Sequence, residues 1–441
     1  MKKFLFILVV LVFAVKNVWA KVVEYDNFFL DNGLEVVVIS NHRAPLGYLK
    51  LYYKAGSFYD PYSKGGIAHL LEHLMFRGTK KVKDKEFNKI MEENGVENNA
   101  YTTYLHTGYY EFSDISKLEL LLALEADRME NLEISDDVFL TERDVVLEER
   151  MQRFETNVVT KFYDSLRKIF WEKHPYSRPV SGEIEEIKNL EKKDVFDFYE
   201  RYYRPENALL VLAGDIKKDE AKSLVDKYFG KIKKAYRDIS KLEVIEPQEG
   251  NFELKMELLG IEHNRFVSYW HIPKGMLNKK EEQALGFLSE FLCGDDTAYL
   301  YDKLVYREKK FLSIGVDGEY NNEYGGMLSL YGIPVDEKMK LEDFRELFER
   351  EIKNGVENMT EDDIAKIRNE SLSNVNYLLE NTKGLADFVG GMKLDGVSDE
   401  DIKGLDDIIK SVKLEDVKDV YKKILEVRGR IIYGQLDKKK D

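Results

Sequence analysis

The sequence predicts an α+β protein of two structurally repeated domains, each a mostly antiparallel sheet packed with helices. Helical and strand periodicities alternate along both halves. The 441 residues are too many for one ordinary domain. A stretch also recurs: Ile187 to Tyr199 lines up with Ile409 to Tyr421 at a constant offset of 222, with six of thirteen positions identical. Both copies then run into a short apolar strand ending in glycine, Ala208 to Gly214 and Arg430 to Gly434. One fold used twice accounts for this.

The chain opens with Met1-Lys2-Lys3, twelve uninterrupted apolar residues from Phe4 to Val15, then Lys16, Asn17 and Val18-Trp19-Ala20. This has the layout of a secretory signal peptide. At about 1.5 Å per residue the apolar run covers about 18 Å, short of a hydrocarbon core of about 30 Å, so it is not read as a membrane span. Residues 1–20 are therefore expected to be removed, leaving a periplasmic or secreted protein that begins near Lys21. It would carry 64 Lys and Arg against 82 Asp and Glu, a net charge of −18. That balance argues against nucleic acid or anionic lipid as partner. The one cysteine, Cys293, has no intrachain partner, so stability must come from an apolar core and any metal must use His and carboxylate.

In the first half, strands are expected at Leu34–Ile39, Leu49–Lys54, Gly108–Phe112 and Leu209–Ala213. Helices are expected at Gly66–Arg77, Asp84–Asn94, Ile115–Met129 and Asp136–Thr156. A polar stretch around Pro247 without clear period reads as a linker, which divides the chain into 21–235, a linker at 236–250, and 251–441. The second half opens with strands near Phe252–Leu258 and Phe266–His271 and continues with helices near Lys280–Leu292, Leu341–Asn354 and Glu361–Glu380.

The chemistry is concentrated in His69-Leu70-Leu71-Glu72-His73. On a helix, His69 and His73 stand one above the other, with Glu72 beside them. Imidazoles at i and i+4 can close on one Zn²⁺, and Glu72 then faces the metal's open position. Chance places this pattern in about 1% of chains of this composition. A catalytic zinc needs a third protein ligand, and the long helix after Asp136 offers Glu142, Glu148 and Glu149. Glu142 and Glu149 lie seven apart on one face, shared with Val145 and Val146, where a carboxylate needs a partner such as a cation. Glu149 is read as the ligand, Glu142 as its support, and Glu148 as a residue of the solvated face.

The motif His69-x-x-Glu72-His73, followed by Glu149 after 76 positions, resembles the inverted zinc motif of the pitrilysin/insulinase metallopeptidases. Further similar stretches are Asn99-Ala100-Tyr101-Thr102, Glu125 to Met129, His174-Pro175-Tyr176 and Pro205 to Ala208. The short bacterial members, which are like the mitochondrial processing peptidases and carry two repeated α+β domains, are the most similar. The resemblance implies peptide hydrolysis with one Zn²⁺ on His69, His73 and Glu149, Glu72 as general base, and a further family glutamate at Glu142. It implies that substrate adds as a strand at Asn99-Ala100-Tyr101. It also implies an arginine and, seven residues later, a tyrosine that grip the substrate from the second domain or from a partner. Counting seven from Arg307 gives Ile314, so the tyrosine is missing. The chain is accordingly expected to be the zinc-bearing half of a dimer whose related, zinc-free partner supplies that pair. The competing expectation is a catalytically silent assembly subunit of the same fold. His106, His42, His174, His263 and His271 lack ligand spacing and are expected to be structural.

Overall fold

Runs such as Val36-Val37-Val38-Ile39 and Leu209 to Ala213 have no polar face to turn toward water, so a sheet built from them must be covered on both sides. The computed structural model describes residues 23–234, 244–321, 323–426 and 429–439, and it shows that cover. The expected leader and residues 236–243 of the expected linker lie outside the described residues; 244–249 run without helix or strand into the second sheet.

The first sheet contains β1 (Asp26–Phe29), β2 (Glu35–Ser40), β3 (Leu46–Tyr53), β4 (Glu97–Thr102), β5 (Thr107–Asp114) and β6 (Ala208–Gly214) in the order β1-β2-β6-β3-β5-β4. Only β2 and β6 run parallel; every other pair is antiparallel. The second sheet contains β7 (Gly250–Leu258), β8 (Arg265–Ile272), β9 (Phe311–Asn321), β10 (Gly325–Pro334) and β11 (Arg430–Lys438) in the order β7-β11-β8-β10-β9. Here too one pair, β7 with β11, is parallel. The second order repeats β2-β6-β3-β5-β4 strand for strand. The offset of 222 carries the start of β6 onto the start of β11, and the helix Lys192–Tyr202 onto the start of the helix Leu414–Glu426.

One face of the first sheet, with Val36, Val38, Leu49, Leu51 and Tyr53, packs on α1 (Ile67–Leu74), α2 (Glu86–Glu93) and α3 (Leu118–Asn131). The opposite face, with Val37, Ile39, Tyr48 and Tyr52, is covered from the second half: Leu385, Ala386 and Val389 of the helix Thr382–Leu394 lie against it. The exchange is reciprocal. After α4 (Asp136–Thr156), α5 (Val158–Trp171) lays Phe162, Leu166 and Phe170 on Val267, Ile432 and Leu436 of the second sheet. The two exchanged helices are related by nearly the repeat offset. Gly434 on β11 admits this approach, because a Cβ there would stand 2.8 Å from Phe162 and Leu166.

The expected elements are present with ends moved by a few residues, and α4 and the helix Glu361–Glu380 begin and end where expected. Strands β1, β4, β9 and β10 and the helices α5 and Thr382–Leu394 were not anticipated. β4 is a polar edge strand, and β9 and β10 contain glycines that weaken the strand pattern. One residue of α4 differs from expectation: Val146 is buried but Val145 is 43% exposed. The buried stripe of α4 runs through Phe139, Glu142, Val146 and Arg150, a 3.6-residue repeat that leaves Val145 on its flank.

Because each sheet is covered by a helix of the other half, truncating one of those helices should weaken the whole chain. Phe162→Ala, at a fully buried site, is expected to cost about 3–5 kcal/mol in urea unfolding, with both halves lost in one transition.

Candidate active site

The helix α1 starts at Gly66, whose φ of 92° suits glycine and where a Cβ would stand 2.7 Å from Ser181 O. The buried Asp60 carboxylate fixes this end, accepting from Gly66 N at 2.7 Å and Ala68 N at 3.0 Å. Burial pushes Asp60 up to about 7, against the pull of those two N–H donors and of Arg178. From there Ile67, Ala68, Leu70, Leu71 and Leu74 turn into the core at 0–1% exposure. That leaves His69, Glu72 and His73 on the remaining face, along a cavity of about 1050 Å³.

The helix α4 lines the same cavity with Glu142 and Glu149. Glu149 Oε2 lies 3.9 Å from His69 Nε2 and 3.6 Å from His73 Nε2. His69, His73 and Glu149 each offer one ligand atom within 4.8 Å of the others, and no second such group occurs among the described residues. Donors about 2.0–2.1 Å from a tetrahedral zinc sit about 3.4 Å apart, so the spacing fits that ion with small side-chain adjustments. Glu142 is buried, with Oε2 3.5 Å from His73 Nδ1 and Oε1 3.2 Å from Arg77 Nε, and Arg77 Nε also lies 3.2 Å from Asp84. Arg153 pairs with Glu149. Glu148 is exposed, as expected.

Burial, with the neighbouring His73 and Arg153, pushes His69 down to about 3 and so keeps its imidazole neutral, the form that binds metal. Burial also acts to lower His73, but Glu142, Glu72 and Glu149 together raise it. Glu72 is raised, chiefly by burial, against a hydrogen bond from Thr102 and the charge of His73.

Asn99, Ala100 and Tyr101 are central in β4, the edge strand beside this cavity. Asn99 Oδ1 accepts from Ala100 N at 2.8 Å. The Tyr101 ring packs under Lys50 Nζ, 4.9 Å from its centroid, and edge-on to His106. His106 lies in the β4–β5 turn, and burial pushes it down to about 4. His174 is fully buried: its Nδ1 accepts from Tyr176 N and its Nε2 faces Tyr324 O at 3.2 Å. Arg307 pairs with Asp302 at 2.5 Å away from the histidine cavity, and Ile314 is 2% exposed.

Asp60, Arg77, Thr102, Tyr104 and Arg167 were missed by the sequence reasoning. Tyr104 and Arg167 join the histidine cavity to a second one, of about 400 Å³, walled by Trp171, Tyr176 and Tyr269. Only Thr102, inside the Asn99-Ala100-Tyr101-Thr102 stretch, and Arg77, at the end of the expected helix Gly66–Arg77, carried a sequence signal.

Comparison with known proteins identifies the family and the fold. Residues 35–183 match the family model described as insulinase (peptidase family M16), and residues 189–371 match the model described as the peptidase M16 inactive domain. The chain is 30% identical over 289 residues to the zinc protease PqqE of Helicobacter pylori, covering 65% of each protein. It is 32% identical over 201 residues to the beta subunit of the mitochondrial processing peptidase of Bos taurus, covering 46% of the chain and 41% of the relative. The matches thus span less than two thirds of these relatives' own length. The fold is shared with a protease from Helicobacter pylori of known crystal structure, with a TM-score of 0.85 and 24% identity over 94% of this chain and all of that one. The two consecutive family matches, over the sheets and helices described above, place the chain in the insulinase family of peptidases, M16.

Proposed function

We propose that the chain is an exported zinc endopeptidase acting on peptides or unfolded segments, and that it is the zinc-bearing subunit of a dimer. The observation that carries this reading is the convergence of His69, His73 and Glu149 to within 4.8 Å, with Glu72 on the same helical face. Zn²⁺ held by that donor set supplies Lewis-acid polarisation of a peptide carbonyl and makes water acidic enough to attack near neutral pH. Glu72 accepts the proton of the attacking water and passes it to the leaving amine. Its raised proton affinity suits both transfers. Glu142 orients His73 through Nδ1. Peptide pairs with the free edge of β4 at Asn99, Ala100 and Tyr101 through its backbone, so many sequences are accepted.

Residues 1–20 act as the export signal, 21–235 form the zinc-bearing domain and 251–441 a second domain without the zinc pattern, joined by 236–250. The dimer reading rests on the substrate-gripping pair that this chain does not supply: Arg307 is tied to Asp302 and the position seven residues on is the buried Ile314. That same gap favours the rival reading, a silent assembly subunit. The complete His69, Glu72, His73 and Glu149 set favours the enzyme, since a silent subunit has no use for a base beside the ligands.

Glu72→Gln is expected to keep its zinc and lose about 10²–10⁴-fold in peptide cleavage. His73→Ala should lose both, read by zinc content and cleavage on the same preparations. Glu142→Ala should weaken zinc affinity about 10–100-fold in competition with a chelating dye. Titrating in a related zinc-free chain should raise the cleavage rate of the purified protein until the two are equimolar; full activity in the isolated chain would contradict the dimer.

A further inference from the structure

Thr102 is the last residue of β4 and stands opposite Thr107 on β5. Its hydroxyl has one proton to give. Oγ1 lies 2.5 Å from Glu72 Oε2 and donates to it, while Thr107 Oγ1 is 3.5 Å away. Thr107 is fully buried and its own hydroxyl donates to Ala55 O at 2.9 Å, which anchors the pair to the start of the segment leading to α1. A β-branched side chain in a strand has little freedom at χ1, so the hydroxyl is placed by the sheet and not by the carboxylate it meets. The Glu72 carboxylate, by contrast, ends a long side chain whose last torsion has only broad intrinsic preferences.

We propose that Thr102 is a positioning residue for Glu72. Its hydroxyl occupies Oε2, which leaves Oε1 as the oxygen that meets the proton of the attacking water. The same hydrogen bond ties the base to the strand whose edge receives the peptide, so a docked backbone and an aimed carboxylate belong to one rigid unit. The inference rests on Glu72 being the base, as proposed above. It adds a residue on another element, which no spacing rule connects to the helical motif.

The test uses Thr102→Val, which keeps the shape and removes the hydroxyl, and Thr102→Ser, which keeps the hydroxyl. With a quenched fluorescent peptide and the zinc-loaded protein, Thr102→Val is expected to lower kcat about 10–100-fold, the worth of a hydrogen bond to a charged group, with KM and zinc content unchanged. Thr102→Ser should restore kcat to within about threefold of the parent. Crystal structures of parent and Thr102→Val give a reading that needs no turnover: the Glu72 carboxylate should hold one position in the first and several in the second. An undiminished kcat for Thr102→Val, a Ser variant as impaired as the Val variant, or a Glu72 held identically in both structures would each overturn the proposal. Failure of the underlying reading looks different, because Glu72→Gln would then cleave as fast as the parent.

Discussion

The site depends on the anchoring of one short helix. α1 is eight residues long, and a free helix of that length would not hold its shape in water. It persists because five apolar side chains are buried almost completely and because Asp60 satisfies backbone donors at its first turn. With one face locked, His69, Glu72 and His73 have only the cavity to face. Below the helix, the rings of Phe76, Phe87 and Tyr109 enclose the Arg128 guanidinium, which pairs with the buried Glu125 and Glu111. A buried charge cluster of this kind adds little net stability, but removing one partner strands the others, so it resists local rearrangement where α1 ends.

Convergence of donors is the second constraint. The carboxylates of Glu72, Glu142 and Glu149 crowd two imidazoles in a largely buried space, and Arg77 and Arg153 compensate only at the margin. Burial favours neutral forms for His69 and Glu72, while the surrounding carboxylates favour a charged His73. On the function proposed above, a divalent cation held by neutral His69 and His73 and by Glu149 would take over the compensation of these carboxylates that a charged His73 otherwise supplies.

Much of this was legible in the sequence because helical spacing is a local property. His69 and His73 at i and i+4, and Glu142 and Glu149 at i and i+7, are brought to one face by the helix alone. That the two faces meet followed from the third ligand a catalytic zinc needs and from the resemblance, and not from spacing. Thr102 was not legible as a partner of Glu72, since a strand end and a helix residue thirty positions apart are related only by the fold. The reciprocal cover of each sheet by a helix of the other half was equally hidden: α5 and the helix Thr382–Leu394 have ordinary amphipathic sequences, and nothing in them says which sheet they cover. The position of Val145 was misjudged because a seven-residue spacing places two residues on a face without fixing which flank is buried.

The central claim is that one divalent ion is gripped jointly by α1 and α4. Anomalous diffraction at the zinc absorption edge, from crystals of the protein loaded with zinc, tests it most directly. The account predicts one strong peak about 2.0–2.2 Å from His69 Nε2, His73 Nε2 and a Glu149 carboxylate oxygen, with Glu142 outside bonding distance. A peak bound elsewhere, or a fully loaded protein in which Glu149 remains far from the metal, would contradict it.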